Sequence, residues 1–179
     1  MLMHHPNTNA AILMLFTHGT LFLLVMSAAI TDLKQNCIYN WQTYGATILG
    51  LGLSFWGGGW QVLLWSATGL AVGFACLFPF YLFGGFGAGD VKFLAAIGAL
   101  EGAAFVLWTM AYAALIGGIM AFAVIIWKGV FWKTVKGCVH LVRHPFRASK
   151  ELDASPRIVL PYGLAIAVGC GWAFFIFKV

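Results

Sequence analysis

Two aspartates, Asp32 and Asp90, stand at the edges of long apolar stretches, in the strings TDLKQN (31–36) and GGFGAGDVKF (84–93). An ionised carboxylate at mid-bilayer costs about 2.5 to 3.5 kcal/mol on insertion scales, so an acid in such surroundings marks a functional site by default. Of the other acidic residues, Glu151 and Asp153 fall in a polar segment, and Glu101 reads as a solvated loop tip. Two carboxylates brought within a few ångströms share a proton, because both do not readily ionise. The ionised member takes a proton from a water attacking a peptide carbonyl; the protonated member polarises that carbonyl and then helps the amine leave. Gly84, Gly85, Gly87 and Gly89 beside Asp90 fit two readings, a helix break at a membrane surface or room for a substrate backbone to approach closely.

The elements that must position these acids are membrane spans. Of 179 residues, 62% are hydrophobic and 8% charged, against about 25% charged in an ordinary soluble domain. With a mean hydropathy of +0.93, a soluble domain would leave a large apolar excess in water. The expectation is an all-α polytopic membrane protein of one domain, covering 1–179, with about six spans at 10–31, 42–56, 60–83, 91–100, 103–127 and 158–178. The break between the second and third falls at Gly57-Gly58-Gly59, and Glu101-Gly102 splits a run too long for one crossing. The piece 91–100 rises only about 15 Å as a helix, so it is short or partly sunken. The first run lacks a basic n-region and a small-residue cleavage site, and is read as a retained span.

Seven of the ten Lys and Arg residues lie in 128–157, which makes that loop cytoplasmic by the positive-inside rule. Counting outward puts both termini outside and both aspartates on the cytoplasmic side. Within the loop, Lys133, Lys136, His140, Arg143 or His144, and Arg147 recur at helical spacing opposite Phe131, Trp132, Val135, Val139, Val142 and Phe146, as in a helix lying on anionic lipid; a solvated loop is the alternative. The net charge of +5 sits mostly here and suits membrane lipid rather than nucleic acid. Cys37, Cys76, Cys138 and Cys170 form no C-x-x-C pair and read as packing residues, with no metal site. His18 reads as a histidine hydrogen-bonded inside the bundle.

Gly87-Ala88-Gly89-Asp90 fits the GxGD signature, and the wider string resembles the second-aspartate motif of the type IV prepilin peptidases. Asp32-Leu33-Lys34 with Ile38 and Asn40 resembles the first-aspartate segment of that family, and Pro161-Tyr162-Gly163 a segment at the start of its last span. Tyr39 departs from the pattern, standing where the family usually has proline. The resemblance implies a membrane aspartyl endopeptidase with Asp32 and Asp90 as the catalytic pair and no cofactor. Its substrate would be a prepilin or pseudopilin leader, cut at the cytoplasmic face of a bacterial inner membrane, with the pilus assembly machinery as partner. The amino-terminal domain with paired cysteines found in longer members is absent, so N-methyltransferase activity is not expected; the short form associated with tight-adherence (Flp) pili is the nearest pattern. Lys34 and Lys92 each follow an aspartate by two positions, point away from it on a helix, and either hold substrate groups or snorkel to the interface. Two rival readings of paired membrane acids remain: a small proton-coupled transporter and a non-catalytic pilus-assembly membrane protein.

Overall fold

In the computed structural model, residues 8–127 and 162–177 are described, and among them the chain forms helices joined by short connections, with no strand. Five helices follow one another: α1 (Thr8–Gln35), α2 (Asn40–Leu82), α3 (Ala88–Glu101), α4 (Ala103–Trp127) and α5 (Tyr162–Phe177). The basic loop 128–157, Pro161 and the outer ends of the span 158–178 lie outside the described residues. The chain divides into two compact units, Met1–Ile116 with Pro161–Val179, and Gly117–Leu160. The candidate site described below lies in the first.

Among the described residues three helices are long and apolar enough to cross a membrane: Ile12–Gln35, Asn40–Leu82 and Ala103–Val124. The sequence predicts about six spans; the difference comes from merging and from length. Predicted spans two and three are one 43-residue helix, which continues through Gly57 and Gly58 and leaves helical geometry only at Gly59 (φ 63°, ψ −149°). A left-handed φ of this kind is open to glycine at no steric cost. Both sides of the break return to the same place. Positions 50 and 66, before and after it, each meet Ala99 of α3: the carbonyl of Ala99 lies 3.2 Å from where a Cβ on Gly50 would stand, and it accepts the Ser66 hydroxyl.

The short predicted span 91–100 is a 14-residue helix, about 21 Å long, below the roughly 30 Å of bilayer hydrocarbon. Its apolar side chains are nearly all buried, with backbone rather than lipid beside them. A Cβ on Gly69 of α2 would stand 2.0 Å from the carbonyl oxygen of Gly98, and one on Gly73 2.6 Å from that of Leu94. Such small-residue seams let helices approach to backbone contact inside a membrane, where no hydrophobic effect drives them together. Gly102, at φ 86°, ends α3 and separates it from α4, at the predicted split.

α1 packs against α2, α3 and α5. It runs one turn further than the predicted end at Thr31, so Asp32 lies inside its last turn rather than beyond it. The end is made by Asn36 in the left-handed region (φ 48°), whose N–H donates to the Asp32 carbonyl at 2.8 Å. This is a common helix stop, and asparagine tolerates it better than most residues. The core joins Leu21, Leu24 and Ala28 of α1 to Phe93, Leu94 and Ile97 of α3 and Ile166 of α5.

Candidate active site

The two aspartates come from different helices and are held by different means. Asp32, only 5% exposed, accepts the backbone N–H of Leu164 at 3.0 Å and also that of Gly163. Both donors belong to the first turn of α5, where helix N–H groups have no intrahelical acceptor. Asp90 occupies the first turn of α3 and accepts the N–H of Gly87 at 3.1 Å, closing a capping arrangement at the helix start.

Asp90 lies ahead of the apolar run of α3. Burial pushes its carboxyl up to about 6, the Gly87 N–H opposes this, and the charge of Asp32 raises it further. The two acids therefore sense one another at one end of the bundle.

Ile38 is the wedge between the segments that carry them. It is buried, and a Cβ added to Gly89 would stand 3.2 Å from its Cβ. A Cβ on Gly163 would meet both its Cδ1 and Asp32 Oδ2 at 2.9 Å. Glycine at 89 and 163 is thus a matter of space: α3 and α5 close on the α1–α2 connection only because neither carries a side chain there. Gly87 is less constrained, with its virtual Cβ 3.3 Å from Asp90 Oδ2. Tyr162 stacks at a tilt on Phe86, ring centroids 4.6 Å apart, tying the start of α5 to the glycine run.

The lysines separate. Lys92 donates to Asn40 Oδ1 at 2.9 Å and lies over the ring of Tyr44, 5.1 Å from its centroid, so it reaches the first-aspartate segment from the second. Lys34 is exposed on the last turn of α1 and stands outside this group. Tyr39 keeps φ at −76° at the start of α2, within the range that proline would impose. Its N–H, which proline lacks, donates to Gln42 Oε1 at 3.3 Å. The departure from the family pattern therefore leaves the turn in place.

The model of the type IV leader peptidase family matches residues 19–122, which include both aspartates. The chain belongs to the type IV leader peptidase family. That membership marks it as a leader-type peptidase, and its long apolar helices agree with membrane association. No curated protein and no solved structure matched it.

Of the residues singled out in the sequence, Asp32, Asp90, Gly87, Gly89, Asn40, Lys92, Tyr162 and Gly163 gather here. The sequence reading missed the Leu164 amide, which leaves no trace in side-chain types, and Tyr44, whose signal was its place one helical turn after Asn40. One expectation is corrected. Glu101 is no solvated loop tip: its side chain is 14% exposed and its Oε1 lies 3.3 Å from His18 Nε2. His18, expected to be bonded inside the bundle, has this carboxylate as partner, drawn from the start of the turn that splits α3 from α4. Among the described residues no group of His, Cys, Asp and Glu is placed to hold a metal ion.

Proposed function

We propose that this leader peptidase is an aspartyl endopeptidase of the GxGD type, in which Asp32 and Asp90 activate one water against the scissile carbonyl of a prepilin-like leader. The observation that carries the reading is the convergence of the two aspartate-bearing segments at one end of the bundle, where Gly89, next to Asp90, packs on Ile38 and Gly163 packs on both Ile38 and Asp32 Oδ2.

The hydrogen bonds suggest a division of labour. An ionised carboxylate is acceptor-only, and Asp32 takes two backbone N–H donors. In this reading it is the base that removes the proton from water. Asp90, whose carboxyl holds its proton up to about 6, polarises the carbonyl and then protonates the departing amine. Lys92, already on Asn40 and Tyr44, fixes the α1–α2 connection against α3.

The same reading counts the two halves of α2 as separate crossings, and α3 and α5 as short ones, which restores six spans. It places the site at the cytoplasmic face of a bacterial inner membrane, with the substrate's apolar stalk among the helices and its leader in the cytoplasm. Flp-type pilins or pseudopilins are the substrate class in view.

The test is leader removal from a prepilin by purified protein in liposomes. Wild type cleaves, and Asp32→Asn and Asp90→Asn each lose at least about 10³-fold in kcat, since neither half of the acid–base exchange works alone. Cleavage that survives either substitution removes the dyad. Proton flux without any cleavage would favour the transporter reading.

A further inference from the structure

α1, α3 and α5 meet at two levels. One is the aspartate site. The other is formed by His18 of α1, Glu101 of α3 and Phe174 of α5: His18 Nε2 lies 3.3 Å from Glu101 Oε1, and the imidazole meets the Phe174 ring edge-on, centroids 5.3 Å apart. Along each helix the two levels are similarly spaced at 1.5 Å per residue. His18 and Asp32 lie about 21 Å apart on α1, Glu101 and Asp90 about 16 Å on α3, and Phe174 and Leu164 about 15 Å on α5.

Between the levels the packing is apolar, through Leu21, Leu24, Leu94, Ile97 and Ile166. Apolar contact holds helices together but tolerates sliding. In lipid it is weaker still as a guide, because the surrounding tails are as apolar as the side chains. A largely shielded polar pair, here with side chains 25% and 14% exposed, adds little net stability once desolvation is counted, and its best-attested use is to set register. Ionisable residues set among apolar helices also call for a functional account, and the water-activating chemistry at Asp32 and Asp90 uses neither His18 nor Glu101.

We infer that the His18–Glu101 pair is a register pin, which fixes the axial position of α1 against α3 and so brings Asp32 level with Asp90. The inference rests on the proposed dyad for its consequence in catalysis, but the register itself is measurable without it. Both are positioning residues, remote from the reacting atoms.

Replacing both with leucine tests the idea while leaving no unpaired buried charge. The His18→Leu/Glu101→Leu chain is expected to fold with undiminished thermal stability, to lose at least about tenfold in kcat, and to keep KM within about twofold, as displaced catalytic groups predict. The exchange His18→Glu/Glu101→His is expected to recover most of the loss. A second readout is a distance. With Cys37, Cys76, Cys138 and Cys170 replaced by alanine, nitroxide labels on cysteines placed at the exposed positions 34 of α1 and 88 of α3 report the offset between the two helices. In the double-leucine background that distance should shift by up to about 5 Å, one helical turn, and return in the exchanged pair. Wild-type kcat in the double-leucine chain, or a lowered kcat with an unchanged distance, overturns the pin. A shifted distance in a protein that cleaves no prepilin keeps the pin and overturns the peptidase reading instead.

Discussion

A methyl group at Gly163 is the smallest change that reaches the candidate chemistry. It would press on Asp32 Oδ2 and on Ile38 at the same 2.9 Å, and neither has room to retreat, since both are buried. Gly163→Ala is therefore expected to displace the carboxylate by a fraction of an ångström and to lower kcat by on the order of 10²-fold, with far less effect on thermal unfolding; single-turnover cleavage separates the two. Asp90 makes a prediction in pH. Its carboxyl is raised from 3.8 to about 6 in the folded chain, so between those values the folded state keeps a proton that the unfolded state has released. Stability then falls as pH rises through that window and levels above it. Asp90→Asn should flatten this slope in detergent melts at pH 4 to 7. The kcat/KM of wild type should decline above about pH 6, where the free protein loses the proton of its acid. Both aspartates and the glycines at 87 and 89 were legible as residues. The way Asp32 is held was not, because its partner is a backbone amide at the start of α5, and every residue but proline has the same amide.

At the scale of elements, the seam between α2 and α3 is the most exacting contact. Position 69 stands backbone to backbone against Gly98, whereas a Cβ at Gly52, on the same helix, would meet nothing within 4 Å. Gly69→Ala is expected to destabilise by at least about 1 to 3 kcal/mol, the usual cost of overpacking. Gly52→Ala is expected to be neutral or to stabilise by up to about 1 kcal/mol, as in an open helix position; paired thermal melts give the comparison. Glycine runs and the polar Glu101-Gly102 step were enough to place the reversal at Gly59 and the division between α3 and α4. The end of α1 was set too early because Thr31 and Asp32 read as polar punctuation. In the structure the Thr31 hydroxyl bonds back to the Ser27 and Ala28 carbonyls and Asp32 bonds to α5, so both are satisfied within the helical turn. Polar residues end a span only when water is their best partner.

For the whole molecule, lipid takes the place of the missing polar surface. Leu15, Leu23, Trp41, Ile48 and Phe175 are each more than half exposed, which water would not tolerate over so many large side chains. Leu23, 69% exposed near the middle of α1, makes the point testable. Leu23→Arg should cost insertion about 2.5 to 3.5 kcal/mol and lower the membrane-integrated fraction, while Leu33→Arg near the helix end, 58% exposed, should cost much less because its side chain reaches the interface. Composition alone revealed this solvent. What it could not reveal was how α1 and α3 register, since the partners His18 and Glu101 lie far apart in the chain and each has an ordinary explanation by itself. The reversal at Gly59 also bears on the order of assembly. Synthesis delivers both arms of α2 before α3, whose length is too small for lipid to hold it firmly in place. The earlier hairpin is thus a waiting cradle, and a chain whose arms cannot close on each other should surrender α3 to quality-control proteolysis before any leader is ever met.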